Sequence, residues 1–234
     1  MDRGFTLAPK WLLALDNLDE DDRATLLRSM RRVSLPARSM VFRQGDPSDR
    51  LIVLETGRIR IFQTSESGDE FTLGVCVGGS TIGLAPLLLG APRNTSAETL
   101  DEASISVLGR ADFEVLLQSM PAFGAGLAKL LATSAIESFA HCGSLAQDTA
   151  RVRLGTTLLS LARKSGAEPS EQHFSVSGIT QEDLARIVGV SRTWVALTLG
   201  MLEDRGLIVK RKRLIAIPDM ERLAGFVSNE RVCH

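Results

Sequence analysis

Between Thr180 and Gly206 the chain carries two short amphipathic stretches separated by a glycine. Thr180 and Asp183 stand at capping-box spacing, so a helix is expected from Gln181. Leu184, Ala185 and Val188 give that helix one apolar face. Gly189 falls where a tight inter-helix turn needs a backbone that tolerates positive φ. Ser191 is suited to N-cap a second helix, with Val195, Leu199 and Leu202 on its inner face. A side chain larger than Ala185 would push the two helices apart. The pattern is that of a helix-turn-helix, and its implied partner is duplex DNA.

Charge supports that partner locally rather than globally. The net charge of the 234 residues is −1, so the whole molecule is not a basic nucleic-acid coat. Between Arg186 and Arg213, however, Arg186, Arg192, Arg205, Lys210, Arg211, Lys212 and Arg213 face only two acids, Glu203 and Asp204. The acidic counterweight is N-terminal: Asp16, Asp19, Glu20, Asp21 and Asp22. Hydrophobic content of 44% and charged content of 24% are those of a soluble globular protein of two modest domains. No apolar run reaches the roughly 18 residues of a membrane span and no signal peptide is recognisable, so a cytoplasmic location without membrane contact is expected. Cys76, Cys142 and Cys233 are odd in number and far apart, which argues against a disulfide framework.

Upstream, Trp11–Arg32 has helical periodicity through Leu12, Leu15, Leu18, Leu26, Leu27 and Met30. From Val33 to about Leu108 short alternating runs follow: Ser39–Phe42, Arg50–Leu54, Arg58–Phe62, Glu70–Val77 and Ala103–Leu108. Glycine- and proline-bearing turns separate them, at 44–47, 56–57, 67–69, 78–79 and 90–92. Such spacing predicts a small antiparallel roll. A helix is expected at Asp112–Leu117, then a long one after Pro121. Leu127, Leu130, Leu131, Ser134, Glu137, Ser138, His141 and Leu145 lie near heptad spacing, as in a dimer seam. Asp148 and Thr149 would break or cap this run, and Arg151–Lys164 would begin the DNA module. Ser165–Ser177 reads as a loop. Beyond Gly206, two apolar runs at 207–210 and 214–217 flank Arg211-Lys212-Arg213 as a basic two-stranded wing. The expected fold is α+β: an N-terminal β-roll with flanking helices over 1–120, a long dimerisation helix over 121–147, and a winged helix-turn-helix over 148–234.

Roll, long helix and winged helix-turn-helix in that order resemble the CRP/FNR family of bacterial transcription regulators. The stretches that carry the likeness are Phe42–Ile61, the Ile82-Gly83 that ends a roll strand, and Ile179–Ile208. The resemblance implies a homodimer joined along the long helix and a double-stranded DNA site of paired half-sites about 34–36 Å apart. It implies a small-molecule effector in the cyclic-nucleotide-binding-like roll, and RNA polymerase as a partner by family analogy.

The chain departs from its relatives at both ends of that scheme. The family's cyclic-nucleotide pocket uses a Glu on the ribose hydroxyl and an Arg on the phosphate. Here Leu84 and Thr95 occupy those places. Losing a charge-assisted bond costs roughly 1.5–3 kcal/mol, so cyclic AMP is not the expected ligand. The residues expected around an effector are Gly83, Leu84, Arg93, Asn94, Thr95, Ser96, Ser138, Phe139 and His141, with Arg93 as a shifted anion contact. The alternative is an effector-independent regulator whose pocket is filled by Leu84, Pro86 and Leu87–Leu89. Cys76 and Cys142 are expected as small apolar fillers and His141 as a seam or pocket polar group. A haem or redox sensor using His141 and Cys142 is the rival reading. An iron–sulfur cluster would need a group of N-terminal cysteines, and Cys76 is the first.

In the reading helix, relatives commonly show Ser-Arg-Glu-Thr-Val/Ile-x-Arg and read a TGTGA-like half-site. This chain keeps Arg192, which suits guanine O6 and N7, but has Thr193 for the Glu and Leu197 for the second Arg. Methyl groups at 193 and 197 suit thymine, so a half-site richer in T/A is expected, unless Leu197 merely packs beneath the wing. Trp194 is expected to pack at the helix–wing junction rather than stack on the DNA backbone. Gln181, Arg186, Ser191, Lys210, Arg211, Lys212 and Arg213 are expected at phosphates. An enzyme is not expected: His141, His173 and His234 all lie outside the roll, with neither a nucleophile–base pair nor a phosphate loop in the chain. No metal site is expected. The rival of another class is an interaction module with a degenerate DNA head.

Overall fold

The computed structural model describes residues 6–7, 18–165, 174–212 and 214–232. The start of the expected first helix (11–17), most of the 165–177 loop, Arg213, His173, His234, Cys233 and the side chains of His141 and Leu145 lie outside the described residues. Leu7–Ser138 forms one compact unit and the chain from Phe139 onward forms another.

The first unit is built on two antiparallel sheets. Its strands are β1 (Thr6–Leu7), β2 (Arg31–Leu35), β3 (Met40–Phe42), β4 (Arg50–Thr56), β5 (Arg58–Thr64), β6 (Glu70–Val77), β7 (Ser80–Ile82), β8 (Ser96–Thr99) and β9 (Ala103–Gly109). One sheet has the order β1-β6-β5-β8-β3 and the other β2-β9-β4-β7. Helices α1 (Glu20–Ser29), α2 (Leu84–Leu89) and α3 (Arg110–Ser119) accompany them. Asp19 caps α1, its carboxylate accepting from the Asp22 amide at 2.8 Å. That helix ends at Ser29, so the helical periodicity expected through Arg32 is cut short. Arg31–Leu35 instead pairs with β9, Val33 opposite Ile105.

β4 explains how roll and helices share one strand. Ile52 and Leu54 face the roll interior with Phe42, Ile59, Cys76 and Ile82. Leu51 and Val53 face a helical layer with Leu26, Phe113, Leu116 and Phe123. Both faces are therefore buried, which is why this strand is apolar without alternation. Cys76 is 1% exposed, as a small apolar filler should be.

The long helix α4 runs Pro121–Gln147, and α5 runs Ala150–Ser165. Leu127 and Leu130 are 2% and 1% exposed because they complete the helical layer beside Phe113 and Phe123. The heptad seam expected through them is corrected: they are core of the first unit. Cys142 is exposed rather than a filler.

In the second unit α6 (Gln181–Val188), α7 (Arg192–Asp204) and α8 (Met220–Val232) join α5 and a three-stranded sheet, β10 (Phe174–Ser177), β12 (Leu214–Ile217) and β11 (Val209–Arg211) in that order. β10 turns the end of the expected loop into a strand, with Val176 opposite Ile215. Asp148 sits at the break between α4 and α5. It accepts from Ser144 Oγ at 2.6 Å and from Arg231 Nε and Nη2 at 2.9 Å each. Arg153 donates to the Asp148 and Val188 carbonyls, tying α5 to the end of α6.

Candidate nucleic-acid interface and roll cavity

The reading head is positioned by its caps. The Thr180 hydroxyl accepts from the Asp183 amide at 3.1 Å while the Asp183 carboxylate accepts from the Thr180 amide at 2.9 Å. Asp183 is 1% exposed, so this reciprocal pair also satisfies a buried charge. Gly189 adopts φ 74° and donates to the Ala185 carbonyl. Ser191 accepts from the Trp194 amide at 3.2 Å and starts α7. Ala185 at 3% exposure lies in the same core as Val195, Leu199 and Leu202, which fixes how closely α6 and α7 approach.

With those residues inward, α7 turns a defined set outward. Arg192, Thr193 and Leu197 are exposed, Leu197 at 71%. Leu197 therefore does not pack beneath the wing. Thr193, Ala196, Leu197 and Gly200 stand at i, i+3, i+4 and i+7, one strip of helix surface. Beside it Arg192 supplies the charge at the helix start. Trp194 is half-buried and packs against the unit's core.

The basic residues divide into two sets. Lys210 donates its amide to Glu203 at 2.7 Å and places its ammonium 2.9 Å from the same carboxylate. The side-chain bond from Lys210, then its amide bond, holds the Glu203 carboxyl below the usual carboxylate range. This pair anchors β11 to α7. Arg186 lies 3.5 Å from Glu182. Arg192, Arg211 and Lys212 are exposed, and Gln181 is half-exposed at the start of α6.

In the first unit a cavity of about 200 Å³ is lined by residues that include Gly83, Leu84, Arg93, Asn94 and Thr95. Five of the nine expected effector residues thus meet around one space. Ser96 is buried beside them, its hydroxyl accepting from the Gln44 amide. Ser138 and Phe139 are exposed on α4 and are not among the lining residues. Leu84 and Pro86 line the cavity, whereas Leu88 and Leu89 are 38% and 80% exposed and do not fill it. The other walls are mostly apolar: Phe42, Ile61, Cys76, Ile82 and Ala85.

Arg93 is 2% exposed. Its Nη1 donates to the Gly83 carbonyl at 3.2 Å and its Nη2 to the Arg50 carbonyl at 2.7 Å. The guanidinium lies 4.5 Å over the Phe42 ring. Burial lowers its pKa from the ordinary arginine value, opposed mainly by the charge of Asp49. Gly83 matters to this arrangement: a Cβ there would fall 1.7 Å from Arg93 Nη1, and its φ is 82°. Leu84 and Thr95 contribute an isobutyl group and a neutral hydroxyl to this wall, and Arg93 its charged side chain.

A helix-turn-helix with a wing, following a roll and a long helix, defines the class: a DNA-binding transcription regulator. Comparison with known proteins gives the family. Residues 32–120 match the cyclic nucleotide-binding domain and 152–226 the Crp-like helix-turn-helix domain. The chain is 30% identical over 182 residues to the Cyclic AMP receptor protein of Thermus thermophilus, covering 78% of this chain and 81% of that protein. It is 27% identical over 201 residues to a CRP-like cAMP-activated global transcriptional regulator of Mycobacterium tuberculosis, covering 86% and 90%. The c-di-GMP responsive global regulator CLP of Xanthomonas campestris shares the fold with TM-score 0.69 at 23% identity, over 86% of this chain and 100% of that one. The chain belongs to the CRP/FNR family of transcription regulators. These relatives are regulators, not enzymes, and no single helix among the described residues is long and apolar enough to cross a membrane.

Proposed function

We propose that the chain is a homodimeric, cytoplasmic regulator, with RNA polymerase as its partner on DNA, that reads paired half-sites richer in T/A than its relatives' and answers to a small effector other than cyclic AMP. The observation that carries the readout is the outer strip of α7, where Thr193, Ala196, Leu197 and Gly200 present methyl groups and backbone beside Arg192. Arg192 takes a guanine; Thr193 and Leu197 take thymine methyls. Arg211, Lys212 and Arg213 of the wing, with Gln181, Arg186 and the Ser191 N-cap, hold phosphates and set register rather than sequence. Lys210 contributes less charge because it is paired with Glu203.

The dimer reading rests on α4. Ala125, Ala128, Ala132, Ala135, Phe139 and Cys142 follow a 3-4-3-4-3 spacing and are all exposed. Ile136 and Phe139 are 70% and 77% exposed, large apolar groups on a helix that is otherwise alanine-rich there. Alanines let two copies approach closely, with Phe139 as the anchor of an isologous contact. The effector reading rests on the cavity, where Leu84 and Thr95 stand at the places the family resemblance assigns to the nucleotide's partners.

Equilibrium binding tests the readout. A palindrome with TGTGA-like half-sites is compared with one in which the pairs facing positions 193 and 197 are T·A. Tighter binding of the second is expected, by roughly 1–3 kcal/mol per restored contact. Preference for the first would refute the reading.

A further inference from the structure

The outer strip of α7 is defined by the polar groups it lacks as well as by the methyls it presents. Thr193, Ala196, Leu197 and Gly200 bring no carboxylate, amide or cation to the base edges. The next residue along the strip is Glu203, an acid able to accept from the N4 amino group of a cytosine. Both of its oxygens are taken: Oε1 accepts from the Lys210 amide at 2.7 Å and Oε2 lies 2.9 Å from the Lys210 ammonium. The Thr193 hydroxyl is the polar group that the strip retains, and a hydroxyl can donate or accept. It therefore suits the O4 acceptor of thymine and the N4 donor of cytosine alike. Leu197 is 71% exposed; beyond α5 the other large exposed apolar side chain among the described residues is Val209 at 40%. An isobutyl group held in water on a reading face gains most by meeting another apolar group. In the major groove of B-DNA that group is the C5 methyl of a pyrimidine.

On the reading that α7 enters the major groove over T/A-rich half-sites, we propose that the strip recognises the pyrimidine C5 methyl and is indifferent to the group at C4. Thymine and 5-methylcytosine share that methyl and differ at C4, so both are ligands of the strip; cytosine and uracil lack it. The paired purine is not distinguished by Ala196 or Gly200, whose side chains carry no donor or acceptor. Guanine preference stays with Arg192, one residue before the strip. A 5-methylcytosine facing Leu197 thus binds as thymine does, and methylation of a cytosine at that place raises affinity for the operator. Burial of one methyl is worth about fourfold in affinity, hence about sixteenfold when one position changes in both half-sites.

The test uses the full chain and four palindromic duplexes that differ only in the pair facing Leu197 in each half-site: T·A, U·A, 5-methylcytosine·G and C·G. Affinities are measured by fluorescence anisotropy at one fixed salt concentration. The two methylated duplexes are expected to bind about equally, with U·A weaker than T·A, and C·G weaker than 5-methylcytosine·G, by about sixteenfold each. Leu197→Ala, measured beside the wild type with its Tm as a check on folding, should shrink both ratios to below about fourfold. Equal binding of U·A and T·A, with C·G weak, overturns the methyl assignment while leaving the T/A preference. Weak binding of 5-methylcytosine·G, alongside a loss on going from T·A to U·A, overturns the indifference at C4 and leaves a thymine reader. A methyl effect of full size in Leu197→Ala assigns it to the stiffness of the duplex and overturns the proposal. Four duplexes bound alike, or both cytosine duplexes bound more tightly than T·A, overturn this proposal and the T/A reading together.

Discussion

The outer face of α7 and the cavity of the roll carry the same kind of side chain and differ in how deeply it is buried. Both carry apolar or small groups where the resemblance to the family implies charge: Thr193 and Leu197 on the helix, Leu84 and Thr95 in the roll. On α7 the replaced positions are exposed, so water covers whatever DNA does not, and folding is indifferent to the swap. In the roll the replaced positions surround a buried arginine, so loss of charge is entangled with stability. Substitution on the exposed strip leaves the packing alone, whereas substitution in the cavity acts on the residues that support it. Gly83 is the clearest such support, since Arg93 occupies the place its side chain would take.

Gly83→Ala should therefore give the largest effect. It strains a backbone at φ 82° and displaces Arg93, costing about 3 kcal/mol. Scanning calorimetry of the full chain should show the transition of the roll fall while that of the DNA unit stays. A fall of both would mean the two regions are not energetically separate.

Next, Arg192→Ala removes the charge at the start of the reading face. Affinity for the preferred site should drop by about 1–3 kcal/mol with base preference lost at one position per half-site and both calorimetric transitions unchanged. A uniform loss across all sequences would instead assign Arg192 to phosphate.

Glu203→Gln should act in the opposite direction and more weakly. It releases the Lys210 ammonium for phosphate, so the salt dependence of binding should steepen by about one charge per subunit. The same pair gives a sign for pH. Glu203 is held below the usual carboxylate range, so its contribution is present above its unfolded value and is lost as pH falls through the lower, folded one. In acid the wild type should approach the variant, as a salt titration at several pH values would show.

What the sequence made legible was local. Thr180, Asp183, Gly189 and Ser191 each act on their own turn of chain, and their caps form as the spacing requires. β3, β4, β5, β6 and β9 follow from alternation or apolar runs between glycine turns. Elements that depend on distant partners escaped. β8 is four residues long and exists because β5 and β3 flank it; β10 exists because β12 lies some forty residues on. The heptad reading of Leu127 and Leu130 failed for a physical reason: large leucines on one side of a helix mark the core of a unit as readily as a seam, and here they close the helical layer. α8 was not anticipated, although its Arg231 grips Asp148. In the cavity, Leu84 and Thr95 were readable by position, but the burial of Arg93 against two carbonyls was not, because Gly83 and Arg50 approach it only in the folded roll.

The most direct measurement is selection from a random duplex pool, run in parallel with the wild-type chain and with a Thr193→Glu, Leu197→Arg double variant. The wild type should return paired half-sites one helical turn apart with a guanine opposite Arg192 and T/A pairs opposite 193 and 197, and the variant should move those pairs toward the TGTGA-like site of the relatives. A wild-type selection that already returns the TGTGA-like site, or a double variant that selects the same sequences as the wild type, would contradict the account.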